Sequence, residues 1–351
     1  MNTLRLVALL ALSLMAWGGA HAQAACEPSG GLSFVCGPKN PEDLVLVPGT
    51  RWIIASGMAE GAGFYLVDSQ TGAFSVLPFQ AERDPSFASC PAPPTPATLN
   101  THGLNIRAVN GSRATLYVVG HGAREAIEVF AVDSGGARPA LTWRGCVPMP
   151  DGLAANSVAS FADGSLVATV LFMPGKTFAD SVVRRPTGAV FEWSPGDSGF
   201  ELVQGTELPA NNGIEVSADG REIYVASSGL QTVVAFSRSN PARQLRTTRP
   251  LPFTPDNVHL GPDGRLLTAG MANDVPECGG PPGPQHDIAK LAVCPRGTIA
   301  VAIDPATMED TVIVETPANA SFSNATMALS VGREVWIGTF AGDRIARAPL
   351  R

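Results

Sequence analysis

The chain has 351 residues and a net charge of −7, with 45% hydrophobic and 16% charged residues. An acidic balance of this kind does not attract nucleic acid or anionic membranes, so small neutral or cationic partners fit better. With 37 Gly, 30 Pro and three lysines (Lys39, Lys176 and Lys290), the sequence is rich in turns and poor in helix-building charge, which favours an all-β fold and leaves few residues for Schiff-base chemistry.

In chain order, Arg5 precedes an apolar run from Leu6 to Trp17 and small residues around Ala20-His21-Ala22, the layout of a secretory signal peptide over 1–22. The run is too short to span a bilayer, and no later segment is a membrane candidate. Residues 23–351 are therefore expected to form one exported, monomeric domain, periplasmic or extracellular. Gln23 stands where a lipobox usually has leucine, which favours release over lipidation at Cys26. Six cysteines (Cys26, Cys36, Cys90, Cys146, Cys278 and Cys294) form no CxxC pair, and an even number in an oxidising compartment reads as disulfides. Their connectivity stays open; nearness suggests Cys26–Cys36 and Cys278–Cys294 as local clips, with Cys90–Cys146 as the third pair.

Six segments then repeat one pattern: an apolar approach strand, a tight turn with glycine, and a departing strand of β-branched or aromatic residues. They are "EDLVLVPGTRWIIASG" (42–57), "HGLNIRAVNGSRATLYVVGHG" (102–122), "NSVASFADGSLVATV" (156–170), "NGIEVSADGREIYVASSG" (212–229), "DNVHLGPDGRLLTAG" (256–270) and "NATMALSVGREVWIGTF" (324–340). Strand-like runs follow each hairpin at 63–68, 126–133, 188–193, 232–237, 297–304 and 344–348. Units of roughly 40 to 50 residues with about four strands are the mark of a β-propeller, and six copies predict six blades. A two-sheet sandwich is the rival, but it does not call for one hairpin repeated in the same phase.

The first strand of each propeller blade lines the central channel, so residues of equal phase face one another near one mouth. Counting back from the turn glycines gives Glu42, His102, Asn156, Asn212, Asn257 (preceded by Asp256) and Asn324, all polar. Amide oxygens with two carboxylates suit a hard cation such as calcium, whereas zinc would need several imidazoles or thiolates. The expectation is a six-bladed propeller with a central metal site at this ring, its two carboxylates, Glu42 and Asp256, balancing one divalent charge. The plain alternative is that Asn and Asp at strand starts form turns and bond their own backbone.

At these residues the sequence resembles the paraoxonases and, more distantly, the senescence-marker-protein/gluconolactonase and strictosidine-synthase-like propellers. "PEDLVLVPGTRWIIASG" resembles the paraoxonase segment that supplies a calcium-binding Glu, and "THGLNIR" with "LYVVGHGAREAIEVF" resembles the segment of the two catalytic histidines. "ANSVASFADG", "NNGIEVSADGREIYVA" and "PDNVHLGPDG" resemble the later calcium segments, and "WIGTFAGDRIARAPL" the closing strands. The resemblance implies a catalytic calcium held by Glu42, Asn156, Asn212, Asp256 and Asn257, and a histidine pair at His102 and His121. A second, structural calcium would use Asp43 and the backbone carbonyl of Leu104, but its third ligand falls on Ser157 rather than an acid. The family's terminal disulfide has no counterpart, so ring closure must rest on strand pairing. A further family histidine is replaced near Met271.

The function expected on this basis is calcium-dependent hydrolysis of a lactone or aryl ester, with a small-molecule substrate. His102 and His121 would relay a proton, or Asp256 or Glu42 would act as base. The alternative is a non-catalytic propeller that binds a ligand or protein around a structural calcium. No GxSxG elbow, HExxH helix or P-loop is present. Three long segments, 81–103, 271–297 and 172–188, are candidates for mouth loops or surface insertions. Phe172, Met173 and Phe178 offer apolar contacts, while the Arg184-Arg185 pair reads as solvated.

Overall fold

The computed structural model describes residues 26–284, 286 and 293–350. The signal-peptide reading over 1–22 lies outside these residues. Strand β1 (Ser33–Cys36) comes first, followed by blade one: β2 (Leu44–Leu46), β3 (Trp52–Ser56), β4 (Phe64–Asp68) and β5 (Phe74–Val76). Strand β6 (Phe79–Ala81) leads to blade two: β7 (Leu99–Asn110), β8 (Arg113–Gly122), β9 (Ala126–Asp133) and β10 (Ala140–Pro148). Blade three is β11 (Val158–Ser160), β12 (Leu166–Val170), β13 (Gly188–Trp193) and β14 (Glu201–Leu208), with a short helix α1 (Phe178–Val182) between β12 and β13. Blade four is β15 (Asn211–Val216), β16 (Glu222–Ser227), β17 (Thr232–Ser237) and β18 (Gln244–Thr247). Blade five is β19 (Phe253–Leu260), β20 (Leu266–Ala272), β21 (Thr298–Ile303) and β22 (Asp310–Thr316), and blade six holds β23 (Ala325–Val331), β24 (Glu334–Thr339) and β25 (Arg344–Pro349).

Six sheets result, as the hairpin repeat predicts. Each predicted third strand is present within a residue or so of its expected bounds. Two strands were not foreseen. β1 pairs antiparallel with β25 as the outer strand of blade six, which closes the ring by strand pairing. β6 pairs parallel with β10, making blade two five-stranded.

The middle strands read as unbroken apolar runs because both of their faces are covered: β4 and β12 are buried at every position. The core is accordingly divided. One apolar cluster sits between each pair of neighbouring blades, as where Ile54, Phe64 and Leu66 of blade one meet Leu116, Phe130 and Trp143 of blade two. The axis itself is lined by buried polar groups, among them Glu42, Asp43, Asn105, Ser160, Glu215 and His259.

All three disulfides, Cys26–Cys36, Cys90–Cys146 and Cys278–Cys294, are formed. Among the described residues no helix is long and apolar enough to cross a membrane.

Innermost strands of adjacent blades approach very closely at one mouth. A Cβ on Gly213 would lie 2.4 Å from the Val258 nitrogen and 2.5 Å from the Asp256 oxygen, and one on Gly103 would lie 2.7 Å from the Asn156 oxygen. Only glycine fits at this spacing. Gly213→Ala is expected to lower the unfolding free energy by about 1–3 kcal/mol through overpacking. Gly199→Ala, whose Cβ meets nothing within 4 Å, should change it by less than about 0.5 kcal/mol. Urea titration of the two variants checks both values.

Candidate functional site

Glu42, Asn156 and Asn324 lie just before β2, β11 and β23, and Asn212 is second in β15, whereas His102 and Asp256-Asn257 stand four or five residues into β7 and β19; a local device aims several of them. Register shifts interrupt β7 between Thr101 and Leu104, β15 between Asn211 and Ile214, β19 between Pro255 and Val258, and β23 between Ala325 and Ala328. Each is a β-bulge, which bends the strand and re-aims side chains. The bulges in β7, β15 and β19 contain His102-Gly103, Asn212-Gly213 and Asp256-Asn257.

The paired asparagines at the head of β15 divide their work. Asn211 is fully buried and spends its amide locally: Nδ2 donates to Thr206 O at 2.8 Å, and Oδ1 accepts from Leu208 N at 3.0 Å. Asn212 donates through Nδ2 to Ser228 Oγ at 3.0 Å, but its Oδ1 is buried with no donor. Asn156 Oδ1, Asn257 Oδ1 and Glu42 Oε2 share that condition. Asn257 Nδ2 donates to Glu42 Oε1 at 2.6 Å, which joins blades five and one across the ring. Four buried acceptors from four blades thus lack a donor, the opposite of what a settled polar core shows.

Charge is unbalanced in the same place. Burial raises the Glu42 carboxyl well above its ordinary range, and the charges of Asp256 and Asp43 raise it further. Asp256 is pushed up to about 7 by burial, against the lowering effect of the Asn212 amide. Among the described residues neither acid has a lysine or arginine partner; His102 Nε2 lies 3.7 Å from Glu42 Oε2. Also among the described residues, no group of three or more His, Cys, Asp and Glu side chains gathers to hold a metal. A cation here would rest on amide oxygens as well: Glu42, Asn156, Asn212, Asp256 and Asn257 are the residues able to hold one, and oxygen-only donors fit a hard ion.

His102 and His121 are brought together, with Nδ1 of the first 3.1 Å from Nε2 of the second. Burial pulls His102 down to about 3, helped by the His121 charge, so it is neutral near pH 7. His121 Nδ1 lies 2.6 Å from Glu125 Oε2. Sequence reading missed Glu125. Its only signal was position, four residues after His121 across the turn from β8 to β9.

One layer deeper, Asp43 is fully enclosed and fully engaged. Its Oδ1 accepts from His259 Nε2 at 2.7 Å and from Leu44 N at 2.8 Å, and its Oδ2 from Leu104 N at 2.7 Å. Burial lowers the His259 pKa, but the Asp43 carboxylate outweighs it and raises the imidazole above its ordinary value. Both carboxylate oxygens of Asp43, the acid that the resemblance assigned to a second ion, are therefore met by protein donors, whereas the Oγ of Ser157, its third position, is buried without a partner among the described residues.

A cavity of about 510 Å³ opens above the ring, with Glu42, His102, Asn156, Asn212 and Asp256 on its floor. Of the three long segments, 172–188 and 271–297 contribute to its wall through Phe172, Phe178, Arg184, Met271 and Pro281, and Met173 packs instead in the core between blades two and three. The segment 82–98 does not line it. That stretch is held on blade two by Cys90–Cys146 and by Arg124 Nη1 donating to Ala92 O at 2.7 Å. Arg184, Ala210 and Gln231 all line the cavity with positive φ (62°, 55° and 62°), a conformation that costs energy without glycine and gathers at functional sites.

Residues 58–273 match the family model of the SMP-30/Gluconolactonase/LRE-like region. No curated protein matches the sequence. Among solved structures, a luciferin-regenerating enzyme is 11% identical with a TM-score of 0.54, covering 90% of this chain and 96% of its own. A protein described as a gluconolactonase is 14% identical with a TM-score of 0.53, over 92% and 93%. Regucalcin from Agrobacterium tumefaciens, a calcium-binding protein, is 10% identical with a TM-score of 0.52, over 89% and 91%. At such identities the likeness is one of fold.

The two asparagines should separate by stability. In chelator, Asn211→Ala strands a buried N–H and a buried C=O and is expected to cost about 1–3 kcal/mol, whereas Asn212→Ala removes one partly exposed bond and should cost less than about 1 kcal/mol. Equilibrium unfolding of both variants in chelator reads the difference.

Proposed function

This chain belongs to the SMP-30/gluconolactonase/LRE-like family, and from that premise we propose that it is an exported, calcium-dependent hydrolase of lactones or aryl esters. The observation that carries the proposal is the ring itself: buried oxygens of Glu42, Asn156, Asn212 and Asn257 without donors, at the floor of a cavity, beside a second carboxylate on Asp256. Glu42, Asn156, Asn212, Asp256 and Asn257 would hold calcium, whose two charges offset the two carboxylates. When bound, the ion supplies Lewis-acid stabilisation of negative charge on the substrate carbonyl oxygen.

The chain's own groups handle the proton. His102 turns Nε2 toward Glu42 and Nδ1 toward His121. A neutral His102 that accepts a proton at Nε2 from attacking water can pass its Nδ1 proton to His121 Nε2, and Glu125 stabilises the imidazolium that forms. Asp256 is the competing base. Three disulfides support an oxidising compartment and hence export. The substrate is a small molecule, and the acidic chain disfavours nucleic acid; a monomer is expected.

The experiment is hydrolysis of phenyl acetate and a lactone panel with and without chelator, together with metal analysis. Asn212→Ala and Asp256→Ala should lose bound calcium and drop kcat/KM by roughly 10²-fold or more. His102→Gln should keep the metal and lose about 10²- to 10⁴-fold in kcat. Unchanged calcium content in the first two variants would overturn the ring assignment, and no turnover under any condition would return the protein to a binding role.

A further inference from the structure

The cavity wall carries two cations that the hydrolytic reading leaves without a task. Arg185 is paired, with Nη1 3.1 Å from Asp180 Oδ1. Its neighbour Arg184 is exposed, lines the cavity, and among the described residues has no carboxylate or carbonyl accepting from its guanidinium. Arg184 also sits with φ 62° just past the end of α1, where Arg184 N donates to Ser181 O and Arg185 N to Asp180 O. Glycine is the usual residue at such a left-handed helix end. Here the chain keeps a long cationic side chain at the strained position.

Arg296 is the second. It is 2% exposed, and its guanidinium donates only to backbone oxygens: Ala272 O at 3.1 Å, Asn273 O at 2.8 Å and Gly280 O at 3.0 Å, with Cys278 O at 3.4 Å. A buried charge normally meets a counter-charge. Among the described residues no carboxylate reaches it. The remaining ionisable groups of the lining are Glu42, Asp256 and His102 on the floor. The proposed calcium would balance the two acids, so they are not available to the arginines; this inference rests on that reading. Between floor and rim the wall is apolar, with Phe172, Phe178, Val182, Met271, Pro281 and Phe340.

We propose that Arg184 is an anion-recognition subsite, with the buried charge of Arg296 elsewhere in the same wall, and that the substrate is an amphipathic ester or lactone carrying a carboxylate at the end remote from the bond that is cleaved. The apolar wall takes the body of the molecule, and the planar guanidinium fork at the exposed rim takes the carboxylate. Arg184 thus sets specificity without touching the reacting atoms.

The test uses the full chain in calcium, with monophenyl glutarate and phenyl valerate, two esters of equal acyl length that differ in the terminal carboxylate. The charged ester is expected to show a KM at least about tenfold lower, a ratio that collapses in Arg184→Ala, recovers in part in Arg184→Lys and persists in Arg185→Ala. A second arm measures binding of 4-phenylbutyrate against 4-phenylbutyramide by calorimetry. Equal KM values with equal binding overturn the subsite while leaving hydrolysis intact, as does a preference that survives in Arg184→Ala. If neither ester is turned over but 4-phenylbutyrate binds preferentially and only through Arg184, the subsite stands and the hydrolase reading falls.

Discussion

Acceptors facing acceptors is the constraint around which this molecule is organised. Six innermost strands converge on one axis, and at one mouth four blades present buried carbonyl or carboxylate oxygens without a donor, from Glu42, Asn156, Asn212 and Asn257. The glycines at 103 and 213 enforce the problem by letting neighbouring strands come close enough for oxygens from different blades to crowd together. The asparagine amides that do have donors to give spend them outward, on Ser228 or on Glu42.

The layer beneath shows that the shortage belongs to the mouth and not to the channel as a whole. Asp43 receives two backbone N–H groups and an imidazole; Glu215 receives Val216 N at 2.9 Å and Leu260 N at 3.2 Å; Ser160 Oγ donates to Asn105 Oδ1 at 2.7 Å. The same kinds of residue, a few ångströms along the same strands, are balanced there. Two neighbouring layers with opposite bookkeeping separate a part of the axis that holds the wheel together from a part left open to an outside charge.

Much of this was legible in the sequence because the hairpin repeat records it in duplicate. Turn glycines at fixed phase identify six blades, and counting back from them lands on Glu42, His102, Asn156, Asn212 and Asn257 without reference to any coordinate. What could not be read has physical reasons. A bulge is one extra residue in a strand and leaves no compositional trace, so the aiming of Asp256 and Asn257 together was invisible. The phase count picks Asn212 over its neighbour for the ring, but the local bonds that occupy Asn211 leave no trace in the sequence. Glu125 is an ordinary turn acid until His121 is placed beside it. β1 and β6 are three- or four-residue edge strands whose partners are distant in sequence, and periodicity over so few residues cannot distinguish them from loop. Arg184 and Arg185 read as solvated and both are exposed; what the sequence does not show is that Arg184 lines the cavity while Arg185 pairs with Asp180.

The seam between β1 and β25 has a consequence for biogenesis. Ser33 lies opposite Arg347, a separation of 314 positions, so the last sheet completes only after the chain has been made through β25. Glu42 leans on the inner strands of the same sheet: its backbone oxygen accepts from Thr326 Oγ1 of β23 and lies against Gly338 of β24. A nascent or prematurely terminated product therefore lacks the support for one of its key oxygens, whatever its earlier sheets have achieved. The backbone at Glu42 is thus held in place only once β23 and β24 are in the ring.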